Sequence, residues 1–112
     1  MEIKEALGAL LDAIESTRSA RNPYNRRSAI AASWGDRIAN RWILSADAFD
    51  HGSEPEQYDA LVHLLTDIEW KVLDQYGPDA DVSEWLSRSH SRAQGAYEDA
   101  RTYVDRKEAG LV

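Results

Sequence analysis

The chain has 112 residues, a length typical of one domain, and no part of it approaches the run of about eighteen apolar residues that a membrane-spanning helix needs. It contains no cysteine, which excludes disulfide bonds and thiolate metal sites and makes a reducing cytoplasm the expected location. The net charge of −7 argues against a general nucleic-acid binder, because phosphate contacts require an excess of lysine and arginine on one face.

The charge is unevenly distributed along the chain. Residues 1–45 carry seven basic and five acidic side chains, residues 46–84 carry one and eleven, and residues 85–112 carry five and four. The whole negative excess therefore lies in the middle third, where we expect contact with a basic partner.

Four helical segments are predicted, and no stretch has the alternation of a strand. The first covers about residues 2–19, where apolar residues recur at the spacing of one helical face. The motif "SARNPYN" then breaks the helix, because Pro23 disfavours helical geometry at the residue before it. The second segment runs over about residues 25–50, with four large apolar residues on one side and Gly35 among the small residues beside them: Trp34, Ile38, Trp42 and Phe49.

The third segment, residues 54–76, has clear start and stop signals. Ser53 and Glu56 form an S-x-x-E capping box before it, and Gly77 followed by Pro78 ends it. Because its connection to the second segment is so short, the two are expected to form a tight helical hairpin.

The fourth segment covers about residues 82–107 and begins after Asp81, a good N-cap residue. Its "SRSHSR" motif, residues 87–92, is interpreted as polar helical surface. Four amphipathic helices with short connections predict an all-α fold, specifically a four-helix antiparallel up-and-down bundle that forms a single domain over residues 1–112.

The third segment has an acidic side opposite its core side. At about 100° per residue, one tryptophan falls among five polar residues on that side. These six residues are the candidate partner-binding site: Trp70, Glu56, Asp59, His63, Asp67 and Asp74. Two interpretations remain open. The acids form a solvated face and a neighbouring helix covers Trp70, or Trp70 is an anchor and the carboxylates steer a basic protein partner.

The acids do not predict a metal site. Asp59 and Asp67 are eight residues apart, which is about 12 Å of helix and too far for one ion to bridge. A metal-dependent nucleotide hydrolase of all-α type remains an alternative, but it needs acids from two helices to converge on one interior point. No nucleophile elbow, phosphate loop or zinc-protease motif is present. We therefore predict no catalytic residues, no metal ligands and no cofactor.

Three arginines share one flank of the second segment: Arg26, Arg37 and Arg41. They form the alternative site, which would contact nucleic-acid phosphates, but pairing with acids of the third segment is the simpler interpretation. Direct nucleic-acid binding is therefore not expected. Ile43 and Leu44 lie off the apolar stripe, which is compatible with a homodimer.

The pattern as a whole predicts a non-enzymatic protein–protein interaction module. We expect an acidic inhibitor or adaptor whose middle third occludes a basic, nucleic-acid-binding surface of its partner. Small acidic helical proteins of this size include immunity proteins and phage-encoded inhibitors of host nucleases or defence complexes, and nothing in the sequence selects among them.

Overall fold

The structure is a computed structural model that describes residues 1–16 and 26–111. The described residues contain no strand and form six helices: α1 (Ile3–Ser16), α2 (Arg26–Trp34), α3 (Asp36–His51), α4 (Glu54–Tyr76), α5 (Val82–Ser89) and α6 (Ser91–Glu108). The predicted turn around Pro23 and the predicted end of the first helix at residue 19 lie outside these residues. The all-α prediction is confirmed, whereas the prediction of four helices is wrong, because the second and fourth predicted helices are each two helices.

Helix α1 packs its apolar face against the other helices and contacts α2, α3, α4 and α6, while its opposite face is exposed. Leu7, Leu10 and Ile14 are fully buried on it and belong to the same core cluster as the leucines of α4. The indole Nε1 of Trp42 on α3 donates a hydrogen bond to the carbonyl oxygen of Leu11 at 2.9 Å. This bond satisfies the polar end of a buried tryptophan and ties α3 to α1.

The predicted bounds of α4 are confirmed, and its start is fixed by the predicted capping box. The Ser53 hydroxyl accepts from the Glu56 backbone N–H at 3.3 Å, and the Glu56 carboxylate accepts from the Ser53 backbone N–H at 3.1 Å. The hydrogen bonds from Ser53 lower the pKa of Glu56. The side-chain amide of Gln57 donates to the carbonyl oxygens of Ala48 and Phe49 at the end of α3, which closes the α3–α4 hairpin.

The break between α2 and α3 occurs at Gly35, inside the stretch predicted to be one continuous helix. Its φ of 93° and ψ of 162° belong to a region that only glycine adopts without strain. The Gly35 N–H still donates to Ala31 at 2.8 Å, so α2 ends there with its last hydrogen bond made. Arg27 braces the break, because its guanidinium donates to Asn40 at 2.7 Å and to Asp36 at 3.2 Å.

The break between α5 and α6 occurs at His90, where φ is −144° and ψ is 63°. The interpretation of this segment as polar helical surface is wrong for His90, whose half-buried ring stacks on Trp34 with 3.9 Å between centroids and 16° between planes. Trp85 contacts both rings edge-on, at centroid distances of 6.3 Å to Trp34 and 5.2 Å to His90. These three residues, the aromatic cluster, join the two helix breaks, since Trp34 directly precedes Gly35.

The aromatic cluster should make the stability of the protein depend on pH. Burial lowers the pKa of His90 below its usual 6.5, the charge of Lys71 lowers it further, and a hydrogen bond with the Ser33 backbone only partly opposes this. The unfolded chain therefore takes up a proton at a higher pH than the folded chain does. The contribution of His90 to the free energy of unfolding should be complete above about pH 6.5 and should fall as the pH drops towards the folded-state pKa of His90.

Urea unfolding of the wild type and of His90→Gln across this pH range will measure the effect. The variant should be less stable at neutral pH and should lose the part of the pH dependence that His90 causes. Parallel pH profiles for the two proteins would contradict this assignment, because the remaining histidines, His51 and His63, are the same in both.

Candidate functional site

Trp70 lies on the outer side of α4 with 51% of its surface exposed. It is two residues after Ile68 and two before Val72, both of which are buried, so it points about 200° away from the core side of the helix. Trp70 is the most exposed of the four tryptophans in the chain, since Trp34 and Trp42 are buried and Trp85 is half-buried. The structure thus leaves half of this indole uncovered by the fold.

A groove runs along one side of Trp70 at the C-terminal end of α4. Its volume is about 540 Å³, and six residues line it: Thr66, Glu69, Trp70, Leu73, Asp74 and Pro78. We call it the Trp70 groove. Trp70, Leu73 and Pro78 supply apolar walls, while the exposed Asp74 places a carboxylate among them.

The Trp70 ring also contacts a cation from α3. The guanidinium carbon of Arg37 lies 5.8 Å from the ring centroid, within the range of a cation–π contact. A second, smaller recess of about 210 Å³ lies on this side, with Arg37, Trp70 and Lys71 among its lining residues. Trp70 therefore lines two recesses, one beside Arg37 and one beside Leu73.

Asp67 does not face solvent, and the prediction that it steers a partner from the outer side of the helix is wrong. Only 4% of its surface is exposed. Its Oδ1 forms an ion pair with Nε of Arg37 at 3.2 Å, and its Oδ2 accepts a hydrogen bond from Nε of Arg41 at 3.0 Å. The helical periodicity of about 100° per residue predicts the direction of the Asp67 side chain correctly, but α3 packs along that side of α4 and covers it.

The arginines of the alternative basic site are all engaged with carboxylates. Arg37 and Arg41 pair with Asp67, which confirms the expected pairing between the second and third predicted helices. Arg26 instead pairs with Glu15 of α1 at 3.2 Å, and its guanidinium lies 5.4 Å from the Trp42 ring centroid. These contacts leave the arginines less available to phosphate than the sequence pattern indicated.

The remaining predicted site residues are exposed but do not form one compact site. Glu56, Asp59 and His63 lie on the N-terminal part of α4, and Asp74 follows Glu56 by eighteen residues, which is about 27 Å of helix. Glu56 and Asp59 line a separate recess of about 310 Å³ beside Leu44, which is 62% exposed. Of the six predicted residues, Trp70 and Asp74 line the Trp70 groove, and the same two line the smaller recess together with the buried Asp67.

Sequence reasoning missed two walls of the Trp70 groove. Leu73 follows Trp70 by three residues, and this helical spacing alone places the two side chains next to each other. Pro78, in contrast, is predicted only to end the helix. It also missed the brace behind the groove, where Arg101 of α6 donates to Glu69 at 3.2 Å and to Asp105 at 2.8 Å. The brace pairs the Glu69 carboxylate, whereas Asp74 forms no ion pair with another described residue and supplies the second negative charge of the groove.

Within residues 1–16 and 26–111, no three histidine, cysteine, aspartate or glutamate side chains are grouped so that they could hold a metal ion. None of the helices described here combines the length and apolar composition of a membrane span. The sequence matches no family model, and comparisons with the curated proteins and with the solved structures found no match.

Proposed function

We propose that this protein is a non-enzymatic protein-binding module that docks a basic partner surface on the outer side of α4, with Trp70 as its anchor. The observation that carries the proposal is the half-exposed indole of Trp70 beside an apolar groove. Tryptophan is enriched among the few interface residues that dominate binding energy, because burying the ring removes a large apolar area from water.

The exposed acids favour a basic partner. Glu56, Asp59 and Asp74 remain exposed along α4, and the net charge of the chain is −7. Such a field accelerates encounter with a positively charged surface and weakens as salt screens it. The module acts as an inhibitor where that surface is the partner's nucleic-acid-binding site, because docking occludes it, and otherwise as an adaptor.

Site-specific photo-crosslinking tests the proposal. A photo-reactive residue at His63 lies on the exposed side of α4, in the same row as Trp70 and about two turns before it. In extracts of the cells that make the protein, it should give a defined protein adduct that raised salt weakens. The matched control is the same residue at Thr102, which is exposed on α6 and should give no such adduct.

The adduct must depend on Trp70. Combining the His63 crosslinker with Trp70→Ala should remove the adduct while the protein stays folded. An adduct that persists in Trp70→Ala, or that forms equally from Thr102, would show that α4 is not the docking surface.

A further inference from the structure

We infer that the Trp70 groove takes a partner segment in which a large apolar side chain adjoins a lysine or arginine. The apolar side chain fills the groove, and the cation binds between Trp70 and Asp74. This inference rests on the proposed function and specifies the chemistry of the partner.

The apolar part of the inference follows from the groove walls. Trp70, Leu73 and Pro78 are the apolar residues that line this open groove of about 540 Å³, and half of the Trp70 surface is in contact with water. An apolar side chain placed there removes both its own surface and the indole surface from water, which is favourable.

The cationic part follows from the charges at this end of α4. Asp74 is exposed and takes part in none of the ion pairs that the described residues form. The last turn of α4 contains no basic residue, since Lys71 lies in the turn before it, so the partial negative charge at the C-terminus is not offset within that turn. Glu69, the other acid of the groove, is already paired with Arg101. A cation from the partner is therefore drawn to Asp74.

The indole adds to the attraction for a cation. Arg37 already lies over the Trp70 ring, which shows that the ring is oriented to accept a guanidinium. Asp74 lines both the groove and the smaller recess beside Arg37. Arg37 is not among the residues that line the groove, so a partner cation binds there without displacing it. An acidic segment would instead meet Asp74 and the helix C-terminus, and a second copy of this chain would bring its own negative charge.

Peptide titration followed by NMR tests the inference directly. Three helical peptides of equal length serve as probes: one of leucine, lysine and alanine, one in which glutamate replaces lysine, and one in which serine replaces leucine. The indole N–H signal of Trp70, assigned with Trp70→Phe, should shift and saturate with the leucine–lysine peptide alone. The other two peptides should bind about tenfold more weakly or not at all.

The charge is tested with two matched variants. Asp74→Asn should weaken binding of the leucine–lysine peptide by about fivefold, because it removes the carboxylate beside the groove. Glu54→Gln makes the same change of net charge on the same helix, at an exposed position outside the groove, and should change binding by less than about twofold. Equal effects of the two variants, equal binding of the glutamate peptide, or no shift with any peptide would overturn the inference.

Failure of this inference is distinguishable from failure of the proposed function. A Trp70-dependent crosslink to a partner that contacts the groove through an acidic or uncharged segment would leave the function standing and refute the groove chemistry. Selective binding of the leucine–lysine peptide without any Trp70-dependent protein adduct would support the groove chemistry and refute the proposed function.

Discussion

The Asp67→Asn variant should lower the free energy of unfolding by about 2 kcal/mol, although Asn has nearly the volume of Asp. Both carboxylate oxygens of Asp67 hold an arginine between α3 and α4, and 5% of the side chain is exposed. Removing one partner of a buried ion pair usually costs more than this. Here Arg37 and Arg41 keep 67% and 33% of their side-chain surface exposed, so both can turn to water.

Urea unfolding at neutral pH will measure the difference, with Asp59→Asn as the control. Asp59 is exposed on the same helix, so its variant should stay within about 0.5 kcal/mol of the wild type. Arg41→Gln should cost more than Arg37→Gln, because Arg41 is the more buried of the two arginines. A loss below about 0.5 kcal/mol for Asp67→Asn would mean that the cluster does not stabilise the hairpin.

The Trp70→Ala variant should lose most of its binding while it stays folded. Half of the indole is already exposed, so truncation should reduce the free energy of unfolding by about 2 kcal/mol, less than the loss expected for a fully buried tryptophan. Affinity for the crosslinked partner should fall by about 30-fold or more, the loss expected of an interface residue worth about 2 kcal/mol. Calorimetric titration of the partner with both proteins will measure the affinity.

Leu44→Ala is the matched control for surface truncation. Leu44 is 62% exposed on α3 and lines the recess at the other end of the hairpin, so its removal should change the affinity by less than about threefold. If Leu44→Ala weakens binding as much as Trp70→Ala does, the docking surface is centred on the α3–α4 turn and not on the Trp70 groove.

The parts of the fold that could be predicted from sequence depend on local interactions. Helix α4 begins and ends where Ser53, Glu56 and Gly77 indicated, because a capping box and a terminating glycine act within a few residues. The break at Gly35 was missed since the apolar pattern continues through it, and a single glycine within such a pattern is often tolerated. The break at His90 depends on stacking against Trp34, a contact between residues far apart in the chain.

In the candidate site, too, the features that depend on local sequence could be predicted and those that depend on helix packing could not. Helical periodicity placed Trp70 on the outer side of α4, and the structure confirms that position. It failed for Asp67, because the direction of a side chain along one helix does not reveal which neighbour covers it. Local periodicity therefore identified the exposed indole, while the arginine pairing that buries Asp67 required the packing of α3 to be known.

The aromatic cluster makes the two helix breaks mechanically dependent on each other. Trp34 ends α2 immediately before Gly35, and its stacking partner His90 separates α5 from α6. Because Trp34 belongs to α2 and His90 lies between α5 and α6, α2 cannot shift against α5 and α6 without disturbing the stack of the two rings. The start of the α3–α4 hairpin that presents Trp70 is therefore held in part by a residue that follows the hairpin in the sequence.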